Sequence, residues 1–257
     1  MGDRINILGV GLSPLNLPLA LAVIRGAIES RSKGYICVTG VHGVSEAQES
    51  PALRAILNGA FLNTPDGMPM VWLGHWHGYP EMSRVYGPDL LLEVCRVSAQ
   101  TPWKHFFYGG DVGVAQELAA SLERRYPGLI VAGAYTPPFR PLSSEEKADL
   151  RARVAEVQPD IIWVGLSTPK QEFFMAENLR EFDTTLMIGV GAAFDLLTGR
   201  VRQAPRWIQR SGFEWLYRLV QEPRRLWKRY CKNNPLFLAR VILQFTHLRR
   251  YPLDAQP

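Results

Sequence analysis

One carboxylate of the sequence lies where it could act as a general base. Asp66 follows a short apolar segment in the run Leu62-Asn-Thr-Pro-Asp-Gly-Met-Pro69 and precedes a predicted helix. A carboxylate at the end of a strand in a nucleotide-type fold can take a proton from a substrate hydroxyl. Asp followed by Gly is also typical of a simple turn, and the local sequence alone favours that interpretation.

Two loops of small and polar residues could hold a phosphate or a sugar. Residues 165–172 follow an apolar strand and open a helix, where backbone amides can bind an anion. The candidate contacts in this loop are Gly165, Ser167, Thr168, Pro169, Lys170, Gln171 and Glu172. Alternatively, Ser167 or Thr168 caps the helix with Pro169 in its first turn, and both interpretations can hold together. In residues 189–195, Gly189 and Gly191 permit close approach of a ligand or tight packing, and Asp195 ends the loop.

Other familiar sites are not predicted. Gly9 and Gly11 follow the first strand, but Pro14 stands where a dinucleotide-binding fingerprint needs a further glycine. The sequence has no phosphate-loop lysine motif, no nucleophile elbow and no metal-ligand spacing of His, Cys and carboxylates. We therefore expect neither a cofactor nor a metal.

The elements that must position these residues alternate between strand and helix. Short runs that are apolar on both faces predict buried strands at 5–10, 35–39, 105–108, 129–132, 160–164 and 185–190. Helical spacing predicts helices at 15–30, 87–100, 112–126 and 143–157, the last with a capping box from Ser143 to Glu146. This alternation predicts an α/β fold with a mostly parallel sheet, whose ligands bind at the carboxyl ends of the strands.

The charge of the chain is distributed unevenly. Residues 1–199 carry 16 lysines and arginines against 21 acidic residues, whereas residues 200–250 carry 13 against two. Helices are predicted here at 205–209, 214–220, 223–230 and 236–249. Residues 223–250 contain no acid, and their basic residues alternate with large apolar ones at helical spacing, as in a helix lying on anionic lipid. Packing on the body of the protein and nucleic-acid binding are the alternatives, but the aliphatic partners of the aromatics favour lipid over nucleic acid.

The cysteine content and the hydropathy of the chain indicate the cellular compartment in which the protein works. Three cysteines at no pairing or metal spacing are typical of free thiols in a reducing compartment. No apolar run reaches the roughly 18 residues of a membrane-spanning helix. The sequence begins without a signal-peptide pattern, so we expect a cytoplasmic protein.

Taken together, the motifs resemble those of the WecG/TagA/CpsF glycosyltransferases (family GT26). The match runs from about residue 5 to residue 230 and covers nearly the whole chain. Its segments, in the family's order, are 38–39, 57–58, 65–69, 84–90, 165–172, 189–195, 202–207, 212–218, 222–226 and 229–230. The resemblance implies a Rossmann-like core, here residues 1–199, and a basic helical appendage, here residues 200–257.

The resemblance also implies an activity and the residues that perform it. The expected reaction is an inverting, metal-independent transfer of a sugar from a UDP-sugar to a polyprenyl-diphosphate-linked saccharide at the inner face of the cell membrane. The family's base matches Asp66, and its assisting threonine matches Thr39. Many relatives carry Asn shortly after that threonine, whereas this chain has His42, which can supply the same hydrogen bond or assist the base.

The diphosphate and the membrane are the remaining implied partners. Family arginines that hold the diphosphate match Arg218 and Arg225, with Lys228 or Arg229 nearby. The appendage would bring these cations over the diphosphate after it docks on an anionic membrane. The resemblance leaves the oligomeric state open and allows a homo-oligomer. A non-catalytic scaffold of a polysaccharide assembly complex is the alternative function.

Overall fold

A computed structural model describes residues 3–253 of the 257-residue chain. Its strands are β1 (Ile5–Ile7), β2 (Val10–Leu12), β3 (Gly34–Thr39), β4 (Leu62–Pro65), β5 (Lys104–Gly109), β6 (Ile130–Tyr135), β7 (Ile161–Gly165) and β8 (Leu186–Gly189). Its first nine helices are α1 (Leu17–Glu29), α2 (Val41–Glu49), α3 (Pro51–Gly59), α4 (Met68–Trp76), α5 (Gly87–Ser98), α6 (Val114–Arg125), α7 (Ser144–Val157), α8 (Lys170–Asn178) and α9 (Ala193–Leu197). The last three are α10 (Arg206–Ser211), α11 (Glu214–Gln221) and α12 (Pro223–Phe245).

The predicted α/β fold with helices flanking a parallel sheet is confirmed. Six strands form this sheet in the order β4-β3-β8-β7-β5-β6. The registers β3 to β8, β8 to β7, β7 to β5 and β5 to β6 are all parallel. β3, β7 and β8 are almost wholly buried, because their apolar residues face helices on both sides of the sheet.

The beginning of the chain differs from the prediction. Residues 5–10 were expected to form one strand of the parallel sheet, but β1 and β2 form an antiparallel hairpin that pairs Ile5 with Leu12. The turn lies at Leu8 and Gly9, whose φ angles are 53° and 80°, and this left-handed backbone ends the first strand early. β4 forms an end strand of the main sheet and was not predicted, because its four residues include the polar Asn63 and Thr64.

The helices predicted at 15–30, 87–100, 112–126 and 143–157 are present as α1, α5, α6 and α7, whereas α2 and α3 were not predicted. In the basic segment, α10 and α11 match the predicted helices at 205–209 and 214–220. The predicted capping box is present, with Ser143 Oγ accepting from Glu146 N at 3.2 Å and Glu146 Oε2 accepting from Ser143 N at 2.8 Å. The two helices predicted at 223–230 and 236–249 are one helix, α12, which continues through Pro235. Leu226, Phe237 and Val241 form its buried face, and this packing compensates for the hydrogen bond that proline cannot donate. No helix within residues 3–253 is both long enough and apolar enough to cross a membrane.

The chain forms two compact units. The first contains the described parts of Met1–Leu17, Val38–Tyr86 and Gln203–Pro257, and it therefore includes the hairpin, α2 to α4 and the three C-terminal helices. The second contains Pro18–Cys37 and Gly87–Arg202, with α1, α5 to α9 and strands β5 to β8. The predicted site residues divide between the two units.

Candidate functional site

Asp66 lies in the first unit, between the end of β4 and the start of α4. Its backbone N donates to the carbonyl oxygen of Thr39 at 2.9 Å, which holds the ends of β3 and β4 together. A Cβ at Gly40 would lie 2.8 Å from the Asp66 carbonyl oxygen, so the close approach of the two loops needs glycine there. The Asp66 side chain is 30% exposed, and its carboxylate is accessible to a substrate hydroxyl.

Arg84 holds the carboxylate of Asp66 in place. Its Nε donates to Asp66 Oδ1 at 2.9 Å, and its Nη1 lies 2.5 Å from Glu214 Oε2 on α11. Asp66 Oδ2 accepts no hydrogen bond from residues 3–253 and is the oxygen available for a substrate proton. The guanidinium of Arg84 is therefore shared between the carboxylates of Asp66 and Glu214, and we call this group of three side chains the bridge.

The bridge is largely removed from water. The side chains of Arg84 and Glu214 are 14% and 13% exposed, and the guanidinium carbon lies 4.0 Å from the centroid of the Tyr86 ring. Burial opposes the charge of Arg84, but the two carboxylates outweigh it and raise its pKa above the ordinary value. Burial, with the charges of Glu214 and Asp66, also raises the pKa of the Tyr86 hydroxyl. Arg84 therefore stays cationic, and Tyr86 stays neutral.

Six buried polar side-chain atoms in this unit lack a hydrogen-bond partner within residues 3–253. They are Thr39 Oγ1, Ser45 Oγ, Asn63 Oδ1, Tyr86 Oη, Arg218 Nε and Tyr251 Oη. A buried polar group without a hydrogen bond costs about 1–3 kcal/mol, so such groups are uncommon unless a ligand or water satisfies them. Tyr86 contacts Arg84 of the bridge and Thr39 contacts Asp66, so two of the six belong to residues beside the candidate base or its partner.

His42 lies on α2 and contacts α12. Asn233 Nδ2 lies 3.1 Å from its Nδ1, and Glu46 Oε1 lies 3.5 Å from the same nitrogen. The structure therefore places this ring nitrogen against a buried asparagine and a carboxylate of its own helix. The catalytic assistance expected of His42 stays a prediction.

The predicted diphosphate-binding cations lie on α11 and α12. Arg218 and Arg225 both approach Glu222 Oε2, at 3.9 Å and 2.5 Å. Burial lowers the pKa of Arg229, and the positive charges of Arg225 and Arg218 lower it further. Lys228 is exposed, with its Nζ 5.7 Å from the Trp227 ring centroid. Like charges this close together, with Glu222 between two of them, favour an added anion.

The two loops of the second unit come together at the ends of β7 and β8. Gln171 is buried and accepts a hydrogen bond from the backbone N of Gly191 at 2.9 Å. Its Nε2 donates to Glu172 Oε1 at 3.0 Å, and Thr168 Oγ1 donates to the same oxygen at 2.9 Å. Burial raises the pKa of Glu172, whose other carboxylate oxygen has no partner in the described part of the chain. One amide side chain thus joins residues 165–172 to residues 189–195.

The alternative interpretation of residues 165–172, in which Ser167 or Thr168 caps α8, does not hold. The helix begins after Pro169, and within residues 3–253 neither hydroxyl before it caps the helix N-terminus. Thr168 instead donates its hydroxyl to Glu172, and Ser167 is exposed with a φ of 65°. The side chain of Lys170 is exposed and extends to 5.9 Å from the Phe139 ring centroid.

Close packing requires glycine at two positions of these loops, and the backbone conformation favours it at a third. A Cβ at Gly165 would lie 2.9 Å from the Phe194 ring, and one at Gly189 would lie 2.8 Å from Met175 Cε. Gly191 has a φ of 55°, in the left-handed region. Asp195 lies one turn further on, in α9, and is partly exposed.

Sequence reasoning found Asp66 and Thr39 but missed Arg84, Tyr86 and Glu214. Arg84 and Tyr86 lay inside a motif run without an assigned role. Glu214 is one of only two acids between residues 200 and 250, and the structure pairs each of these two with arginine. An isolated acidic residue in an otherwise basic segment of the sequence is the pattern that could have indicated a specific ion pair.

The sequence is similar to those of known proteins. The model of the glycosyl transferase WecG/TagA/CpsF family matches residues 5–251. A protein of Bacillus spizizenii named N-acetylglucosaminyldiphosphoundecaprenol N-acetyl-beta-D-mannosaminyltransferase is 32% identical, over 77% of this chain and 76% of its own length. A protein of Bacillus subtilis with the same name is 29% identical, over 83% of this chain and 84% of its own length.

Proposed function

The chain belongs to the WecG/TagA/CpsF family of glycosyl transferases, and we propose that it transfers a sugar from a UDP-sugar to a polyprenyl-diphosphate-linked saccharide. That the chain is a glycosyltransferase follows from this membership and from the names of its relatives. The same names describe transfer of an N-acetyl-β-D-mannosaminyl group to an N-acetylglucosaminyl-diphosphoundecaprenol. An N-acetylhexosamine donor and an acceptor of this type are therefore the first candidates.

The bridge of Asp66, Arg84 and Glu214 carries the proposal. Arg84 binds Asp66 Oδ1, and Oδ2 is left to accept the proton of the acceptor hydroxyl. The hydroxyl oxygen then forms a bond to the anomeric carbon of the donor while the bond from that carbon to the UDP oxygen breaks. Attack from the face opposite the leaving group inverts the anomeric configuration. Thr39 Oγ1, buried and unpartnered within residues 3–253, would hydrogen-bond a substrate oxygen beside the base.

The leaving UDP acquires negative charge that cations can stabilise. The cations proposed for this role are Arg218, Arg225, Lys228 and Arg229. Arginine suits a diphosphate because its planar fork forms paired hydrogen bonds with phosphate oxygens. Fixed cations aimed at the developing charge lower the barrier without requiring a metal ion.

The joined loops of the second unit are proposed to contact the nucleotide-sugar. Residues 165–172 contribute the Ser167 hydroxyl and the Lys170 ammonium group, both exposed. Residues 189–195 contribute the backbone at Gly191, where an added Cβ would have only Gln171 Oε1 nearby, at 3.7 Å, so a ligand can approach. The space at Gly189 is occupied by Met175 and Gln171, so this glycine would act through packing. The hydrogen bond from Gly191 to Gln171 would keep the two loops in one fixed arrangement.

The basic C-terminal segment is proposed to bind the membrane that holds the acceptor. Residues 200–257 would form an appendage to the catalytic core of residues 1–199, and the net positive charge of residues 200–250 suits an anionic lipid surface. The enzyme would then work peripherally at the inner face of the cell membrane, where a lipid-linked acceptor and a nucleotide-sugar can meet.

A UDP-release assay tests the proposal. Purified protein in anionic vesicles would receive a panel of UDP-sugars and polyprenyl-diphosphate sugars. We expect acceptor-dependent UDP release with one donor and acceptor pair, abolished by Asp66→Asn and retained by Asp149→Asn, an exposed aspartate of α7. Acceptor-dependent release that is equal in the Asp66→Asn enzyme would contradict the assignment of the base. Normal vesicle binding without release for any pair would instead favour the non-catalytic scaffold.

A further inference from the structure

Helix α4, which begins two residues after Asp66, has no polar outer face. Apart from His75, its nine residues are apolar or glycine. Met70, Val71 and Leu73 are buried, whereas Trp72 and Trp76, one turn apart, are 51% and 73% exposed. A surface helix of a soluble domain normally turns polar residues outward, so two exposed tryptophans on one face need a partner.

The exposed face of α4 is continuous with that of α12. The ring of Trp76 stacks on Phe245 with 4.4 Å between centroids. At 100° per residue, the α12 residues Trp227, Leu238, Ile242 and Phe245 lie within about 60° of one another around the helix. Trp227, Leu238 and Ile242 are each exposed. We call Trp72, Trp76, Trp227, Leu238, Ile242 and Phe245 the aromatic surface.

Basic residues flank the aromatic surface. By the same helical geometry Arg224 and Lys228 lie within about 100° of Trp227 on α12, and both are exposed. No acid occurs between residues 223 and 250. Tryptophan beside aliphatic residues, with a cationic flank, is the composition that enters the interface of an anionic bilayer.

We infer that the aromatic surface inserts into an anionic bilayer, and that α4 forms part of the docking surface together with α12. This inference rests on the proposed function, in which the C-terminal segment alone binds the membrane. Its consequence is a direct connection, because the loop that holds the candidate base leads into a helix seated in lipid. The lipid-linked acceptor would then meet Asp66 at the bilayer surface.

Vesicle sedimentation tests the inference. The full chain would be mixed with vesicles of phosphatidylglycerol and phosphatidylcholine, and with vesicles of phosphatidylcholine alone. Removing Trp76 withdraws a large apolar ring from lipid, so Trp76→Ala should weaken partitioning by at least about tenfold. Leu238→Ala should weaken it as well. Phe139→Ala is the matched control, because Phe139 is a 93% exposed aromatic residue of the second unit.

A second measurement reads the position of Trp76 directly. Brominated lipids quench tryptophans within the bilayer, so the Trp76→Phe protein should lose part of the quenching that the parent shows. Folding is not at issue for this variant, because a ring remains to stack on Phe245. Unchanged quenching would overturn the inference.

The outcomes separate this inference from the proposed function. If Leu238→Ala binds weakly and Trp76→Ala binds normally, α4 is not in the docking surface, although membrane binding by α12 stands. If Trp76→Ala changes only the sedimentation coefficient without vesicles, a second copy of the chain covers the surface and the inference is wrong. UDP release with a short-chain, water-soluble acceptor should be unchanged in Trp76→Ala. If the parent protein itself releases no UDP with this acceptor, that result counts against the proposed function and not against membrane docking by α4.

Discussion

The shared guanidinium of Arg84 gives a prediction whose size can be worked from the structure. Arg84 Nη1 lies 2.5 Å from Glu214 Oε2 and Arg84 Nε lies 2.9 Å from Asp66 Oδ1, with all three side chains less than a third exposed. Breaking a buried ion pair from one side costs about 3–5 kcal/mol, because the remaining charge stays buried. Arg84→Met, which leaves two carboxylates without their cation, should lower the free energy of unfolding by about this amount.

Glu214→Gln should cost less than Arg84→Met. Arg84 keeps Asp66 as a partner in this variant, so the loss is about one charge-assisted hydrogen bond, or about 1.5–3 kcal/mol. In the double variant, Glu214→Gln removes the carboxylate that Arg84→Met alone would leave buried without its cation. The double variant should therefore be more stable than the sum of the single effects predicts, by about 1–3 kcal/mol.

Urea unfolding followed by tryptophan fluorescence measures this double-mutant cycle. The matched control is the exposed pair of Arg153 and Asp149 on α7, at 2.7 Å, whose two substitutions should be additive within error. UDP release measured on the same proteins should show kcat about 100-fold lower in Arg84→Met, since Asp66 loses its orientation. Additive effects to within about 0.5 kcal/mol at the Arg84 and Glu214 positions would refute the bridge.

Two further predictions concern stability and the loop beside the base. Burial lowers the pKa of His105 to about 4, against about 6.5 in an unfolded chain, so only the unfolded chain gains this proton between those pH values. The free energy of unfolding should fall by up to about 3 kcal/mol from pH 6.5 to pH 4. Urea titrations at several pH values should show that His105→Gln reduces this pH dependence of stability, whereas His247→Gln keeps it. An undiminished pH dependence in His105→Gln would contradict the prediction. Gly40→Ala places a Cβ 2.8 Å from the Asp66 carbonyl oxygen and should lower kcat by about tenfold or more, whereas Gly26→Ala, with open space at its Cβ, should not. Equal kcat values for the two alanine variants would show that the loop tolerates the displacement.

Most of the sheet could be predicted because its strands are apolar on both faces. Residues 35–39, 105–108, 160–164 and 185–190 all overlap observed strands. The hairpin at residues 5–12 could not be predicted, because Leu8 adopts a left-handed backbone that nothing in the local sequence requires. The single helix α12 was missed because Pro235 normally ends a helix, and only tertiary packing of Phe237 and Val241 shows why it continues.

The candidate site was predicted where neighbouring residues in the sequence indicate chemistry. Asp66 and Thr39 could be named from their motifs, and the structure joins them through a backbone hydrogen bond. The partnership of Arg84 with Glu214 could not be predicted, because an ion pair between residues 130 positions apart leaves no spacing pattern. For the same reason, the hydrogen bond from Gly191 to Gln171 emerges only after β7 and β8 have been placed side by side.

The identity of the base is tested most directly by the kinetics of Asp66→Asn. With saturating donor and acceptor, the rate of UDP release would be compared between the parent and this variant, which keeps an oxygen for Arg84 Nε. Loss of a general base should lower kcat by about 100-fold to 10,000-fold, with vesicle binding and donor affinity unchanged. A kcat within tenfold of the parent would show that another group removes the acceptor proton.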